Sequence, residues 1–213
     1  MKGSIIWQAP HPDLPFSSTH YDKFWAASQD LAMPVSLHIL TGHGYHKDPN
    51  FGKIRTVENY RTSVNIKILE IANAVFDILF TGVLERFPRL KFLSVENEIG
   101  WIPFYLQQWD YYYRRFVKVN PLPIKREPST YFMNQIGSTF FRDEAGGHAM
   151  EWWGEDCCMW SNDYPHQNST WPNSRRFIER NIGHLPEARQ RKLLCDNAAK
   201  LFSLDVQRLK KAA

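Results

Sequence analysis

The chain has 213 residues, 43% of them hydrophobic and 23% charged, and a formal charge of +4 at pH 7. That length allows one full core, and the charge is too modest for a nucleic-acid partner: Arg114-Arg115, Arg175-Arg176 and Lys210-Lys211 are isolated pairs of the kind found on solvated helix faces. No apolar run reaches the roughly 18 residues that span a membrane, no signal peptide opens the chain, and three cysteines make no disulfide framework, so a cytoplasmic setting is expected.

Gly3 to Gln8 reads as a buried strand centred on Ile5 and Ile6. The next loop holds Pro10, Pro12 and Pro15, which exclude regular structure, and leaves His11 undecided. Ser17, Ser18 or Thr19 can cap a helix running to about Met33, with Tyr21, Phe24, Trp25 and Leu31 on its apolar side. Pro34 ends it, and Val35 to Leu40 forms the second strand, finishing around His38. The loop containing Gly42, Gly44, Pro49 and Gly52 is long enough to expect a function. A long helix is expected from Val57 or Val64 to Arg86, because Ile68, Ile71, Val75, Ile78 and Leu79 recur at helical spacing.

After Pro88, Leu90 to Glu96 reads as a strand and Trp101 to Phe116 as a helix with an aromatic stripe, a pattern that is more often core than cofactor box. Val119 to Ser129, with three prolines, is a loop; Met133 to Phe140 is a strand and Glu144 to Trp153 a short helix. Cys157 to Ser161 is the fifth strand, its cysteines buried. Ser169 or Thr170 can cap a helix over Pro172 to Asn181, and a last helix spans Pro186 to Phe202. Near-continuous apolar strands alternating with helices specify an α/β fold with a parallel sheet, in one domain over residues 1–213.

In a parallel sheet every strand end faces the same rim. The second strand brings His38, with His43 and His46 behind it; the third brings Glu96 and Asn97; the fourth Ser138 and Thr139; the fifth Asp163 and His166. Imidazole nitrogen and carboxylate oxygen from separate strands are what a divalent metal uses, and a carboxylate there can take a proton from metal-bound water. Singly, each has an ordinary reading: His38 as a core histidine, Asp163 as a turn residue before Pro165, and His20, His148 and His184 as surface.

Several segments together resemble the amidohydrolase-related family of metal-dependent hydrolases and decarboxylases. They are Tyr21 to Ala27 with Pro34-Val35-Ser36-Leu37-His38, Phe87 to Phe92, Trp160 to His166 with Ser169-Thr170-Trp171-Pro172, and Asp196 to Phe202. The resemblance implies a (β/α)8 TIM-barrel-type fold with His38 as the fifth-strand metal ligand. It makes Asp163 the eighth-strand aspartate, a ligand or proton carrier, and the ion a divalent metal, zinc by family habit. It also implies a small carboxylated or aromatic substrate, with Trp101, Phe104, Tyr105, Glu96 and His166 at the substrate pocket. Glu96 stands where many members place a histidine, and the family's first-strand His-x-His is missing. The chain therefore looks like the last five βα units of a barrel, which cannot close and leave exposed edges. A truncated reading frame is expected, homo-oligomerisation is plausible through those edges, and the alternative to an enzyme is a catalytically incomplete remnant that binds a partner.

Overall fold

In the computed structural model, residues 2–43, 56–60, 65–150 and 152–207 are described. Strand β1 (Ser4–Ala9) is followed by α1 (Asp22–Asp30), β2 (Val35–Gly42), α2 (Val57–Tyr60), α3 (Ile66–Phe80) and α4 (Val83–Arg86). Then come β3 (Phe92–Val95), α5 (Ile102–Phe116), α6 (Pro128–Gln135), β4 (Ile136–Phe140), α7 (Glu144–Ala149) and β5 (Cys158–Trp160). The chain ends with α8 (Ser174–Ile182), α9 (Glu187–Arg191) and α10 (Asn197–Leu201). The five strands form one sheet in the order β1-β2-β3-β4-β5, and every neighbouring pair is parallel.

Register explains the burial. Val35, Phe92 and Ile136 stand side by side, as do Leu37, Ser94, Ser138 and Cys158, and all seven are buried beneath the helices. The opposite face carries Trp7, His38 and Val95 in one row. On that face Ile5 is 64% and Trp7 45% exposed. The expectation of a buried first strand centred on Ile5 is thus corrected: β1 is an edge strand, and only its helix-facing side is covered.

Helix boundaries moved where local chemistry overrode the broad pattern. The long helix expected up to Arg86 breaks at Gly82, whose φ of 78° is left-handed. Its core face holds, with Ile71, Val75, Ile78 and Leu79 buried; residues 61–64 lie outside those described, as do Gly44, His46, Pro49 and Gly52. The strand expected from Met133 begins only at Ile136. Pro128 instead opens α6, which buries Tyr131, Phe132 and Gln135 at helical spacing. Ser18 caps the turn before α1 by accepting from the His20 amide. Ser169 and Thr170 do not cap α8: Ser169 Oγ donates to Asn162 O at 2.8 Å, and Thr170 pairs with Ser174.

The last helix is interrupted by a π turn over Lys192–Asp196. Immediately after it, Asn197 is buried, and its Nδ2 donates to the carbonyls of Glu155 and Cys158, both at 2.7 Å. Asn197 therefore fastens the C-terminal helices to β5. Asn197→Leu keeps the branched shape but leaves both carbonyls without that donor, and is expected to cost about 1–3 kcal/mol. Urea unfolding checks this; an unchanged midpoint would show that the two bonds contribute nothing net.

Candidate active site

The strand ends meet at one rim, where three acidic residues adopt left-handed backbone: Glu96 (φ 64°), Glu98 (φ 54°) and Asp163 (φ 56°). Non-glycine residues seldom do so, and such positions collect at functional sites. Glu96 is the first residue past β3. Its amide donates to Thr139 Oγ1 of β4 at 2.9 Å, and its Oε1 lies 3.0 Å from Nε2 of His38 on β2. One carboxylate residue thus joins three strands.

The His38 ring is held from both sides. Nδ1 lies 2.9 Å from the Ile39 carbonyl, which can only accept, so Nδ1 carries a proton and donates. Nε2 then faces Glu96 either as N–H of an imidazolium or as a lone pair sharing a cation with the carboxylate. The Glu96 hydrogen bond is the largest influence holding the His38 pKa above its ordinary value, with desolvation opposing it. The same bond is the main cause holding Glu96 below the usual carboxylate range. Asp163 behaves oppositely: burial, followed by the Glu96 charge, pushes its carboxyl up. Its Oδ2 lies 2.9 Å from Nδ1 of His166; the Asp163 side chain is 10% exposed and that of His166 63%.

A cavity of about 740 Å³ opens beside His38, lined by Glu96, Trp101, Phe141, Arg142 and His166 among others. Asp163 lines a neighbouring hollow of about 420 Å³ together with Glu96, so Glu96 forms the partition between them. Two loops wall the larger cavity and grip one another. Glu98 Oε2 accepts from the amides of Phe141 (3.1 Å) and Arg142 (3.4 Å). In return Asp143 Oδ2 accepts from Ile99 (2.7 Å) and Gly100 (2.6 Å), while its Oδ1 takes the Gly146 amide and caps α7.

Of the residues expected here, His38, Glu96, Trp101, Asp163 and His166 reach the rim. Phe104 does not: it is 62% exposed and lines a separate outer groove with Met133 and Trp152. Tyr105 packs edge-on against Trp101 and Trp109 beside the core. Tyr105 lies one helical turn after Trp101, on the same face and against it, while Phe104 is rotated off that face toward solvent. Ser138 is buried on the helix side rather than at the rim. His43 packs edge-on to His11, with ring centroids 4.2 Å apart. Glu98, Arg142 and Asp143 were not foreseen; Asp143, three residues before Gly146 at a helix start, carried a readable capping signal.

The family profile described as Amidohydrolase matches residues 5–204. The chain belongs to the amidohydrolase family. Solved structures share its fold. A 5-carboxyvanillate decarboxylase from Sphingomonas paucimobilis is 21% identical with a TM-score of 0.72, the match covering 96% of this chain and 59% of that one. An amidohydrolase from Mycobacterium avium subsp. paratuberculosis is 22% identical with a TM-score of 0.75, covering 95% and 51%. A dihydroxybenzoic acid decarboxylase from Polaromonas sp., with bound manganese and the inhibitor 2-nitroresorcinol, is 20% identical with a TM-score of 0.66, covering 92% and 57%. The chain thus spans between half and three-fifths of these proteins' lengths. A search of curated protein sequences finds no match. The fold is that of part of a TIM barrel, five parallel strands with their helices.

The donor set can be tested against a metal. One imidazole and two carboxylates suit a divalent ion of hard to borderline character. His38 and Glu96 already stand 3.0 Å apart, the spacing of two neighbouring ligands set at right angles about 2.1 Å from one ion. Among the described residues no three His, Cys, Asp or Glu side chains yet converge on one point. The donors fit in kind, and Asp163 lines the hollow on the far side of Glu96.

Because the folded pKa of His38 is raised, the His38–Glu96 bond contributes stability below the unfolded value near 6.5 and loses it as pH rises through the folded value. At the acid end it is lost as pH falls through the lowered pKa of Glu96. NMR titration of the metal-free protein should place the His38 midpoint above 6.5, and Glu96→Gln should lower it. An unchanged midpoint in that variant would remove Glu96 as the cause.

Proposed function

We propose that this chain carries one side of the active site of a metal-dependent carboxy-lyase or hydrolase acting on a small carboxylated aromatic compound. The observation that carries the reading is the His38–Glu96 pair at ligand spacing, with Asp163 across Glu96 on the same rim. His38 and Asp163 would hold the ion, with Glu96 between them. Manganese suits this mixed nitrogen and oxygen set, and the Polaromonas decarboxylase has manganese bound. When bound, a divalent ion supplies positive charge that polarises a substrate oxygen.

The chain's own groups account for the rest of the chemistry. Trp101 and Phe141 offer apolar surface to a flat ring in the cavity beside His38. Decarboxylation replaces a carbon–carboxylate bond with a carbon–hydrogen bond, so the site must deliver one proton to carbon. Asp163 suits that step when it is not ligating, since burial and the Glu96 charge raise its pKa toward the working range. Hydrolysis would use the same carboxylate in the opposite sense, taking a proton from water. The decarboxylases among the structural neighbours support the lyase form.

A second reading, a catalytically incomplete remnant, is favoured by the absence of three converged ligands among the described residues and by the exposed inner face of β1. One experiment separates them. The purified chain is loaded with Mn²⁺ or Zn²⁺, desalted and assayed for metal, beside a His38→Ala, Asp163→Ala double variant. One ion per wild-type chain, lost in the variant, is the expected result. At a hundredfold excess over Kd the ion should also stabilise the fold by about 2.7 kcal/mol. A folded wild type that retains no metal would leave the remnant reading standing.

A further inference from the structure

The cavity beside His38 is rich in carboxylates, and each of them is already engaged. Glu96 bonds His38; Glu98 accepts the amides of Phe141 and Arg142; Asp143 accepts those of Ile99, Gly100 and Gly146. Among the described lining residues, Arg142 is the single Lys or Arg. Its guanidinium makes no ion pair with a carboxylate among the described residues. Instead Nη2 donates to two backbone carbonyls, Asn168 O at 3.1 Å and Ser169 O at 3.2 Å. The Cζ atom sits 4.7 Å from the centre of the Phe177 ring.

Those contacts orient the group without neutralising it. A carbonyl oxygen and an aromatic face accept from a guanidinium but leave its full charge in place. Both hydrogen bonds use Nη2, which belongs to each two-donor edge of the guanidinium, so Nε and Nη1 are left to give a ligand single charge-assisted bonds. The ordering entropy of a long side chain has been met before any ligand arrives.

We infer that Arg142 is the anion anchor of this cavity, binding the carboxylate of an aromatic acid whose ring lies toward Trp101 and whose far end faces His38 and Glu96. The inference rests on the carboxylated-substrate reading above and deepens it. A cation that binds a carboxylate firmly in the ground state opposes loss of that same group, since only interactions stronger in the transition state accelerate a reaction. The carboxylate at Arg142 is therefore the one the substrate keeps. The substrate class this selects is an aromatic ring bearing a second acidic or hydrolysable group at the His38 end.

The test is a binding titration of metal-free protein with benzoate and with benzamide, which match in shape and differ in charge. Ligand-observed NMR gives the ratio of the two affinities, a quantity that general loosening of the loop would not shift selectively. The wild type is expected to bind benzoate about tenfold or more tightly than benzamide, the scale of a charge-assisted pair. Arg142→Gln should bring the ratio close to one. Arg142→Lys, which keeps the charge and loses the guanidinium's contacts with the two carbonyls and Phe177, should retain a part of it and serves if the Gln variant fails to fold. A wild type that binds no benzoate or shows no preference for it, or a preference that survives both substitutions, would overturn the assignment. Metal uptake by the Arg142 variants, measured separately, tells failure of this anchor from failure of the metal-site reading.

Discussion

The contact between His38 Nε2 and Glu96 gathers more of this structure than any other single bond. It can form only because β2 and β3 run parallel in a register that sets His38 beside Val95, one residue short of Glu96. It also needs Glu96 in left-handed backbone, which turns the side chain back across the sheet end while the amide stays tied to Thr139. The cost of that backbone, of order 1–3 kcal/mol, is borne by the strands on either side. Three strands are thereby committed to one carboxylate.

That carboxylate also sets the chemical difference between its neighbours. It raises the proton affinity of His38 on one side and of Asp163 on the other, while remaining ionised itself. Both carboxylates are desolvated and both meet an imidazole, but at Glu96 the His38 bond outweighs burial, whereas at Asp163 burial and the Glu96 charge outweigh the His166 bond. Groups whose environments drive them apart in this way supply the acid and base roles of many sites.

The α/β class and the five parallel strands were legible because apolar runs broken by helical periodicity leave few alternatives. His38 and Asp163 were legible as polar residues ending such runs. The role of Glu96 was not, since its backbone turn and its pairing with a strand some sixty residues earlier in sequence leave no local mark. Phe104 and Tyr105 misled for the opposite reason: an aromatic stripe near a strand end looks the same whether it faces a cavity, the core or solvent. The Met133 boundary failed because Pro128, read as part of a loop, was the start of α6. Exposure of Ile5 and Trp7 could not be read from strand composition, because what lies opposite a strand is a property of the whole sheet.

The crossed grip of Glu98 and Asp143 has a meaning for how such a site can change over generations. Each acid sits on one loop and holds the amides of the other, so the wall is fastened twice by backbone groups, with residue type restricted at Gly100, where a Cβ would meet Asp143 Oδ1 at 2.9 Å. Lining side chains outside the two fastenings, such as Trp101 and His166, can be exchanged without touching either, and losing one acid leaves the second in place. Selection can therefore alter what this pocket recognises in small steps while its shape persists, a form of robustness written into two carboxylates bound to backbone amides.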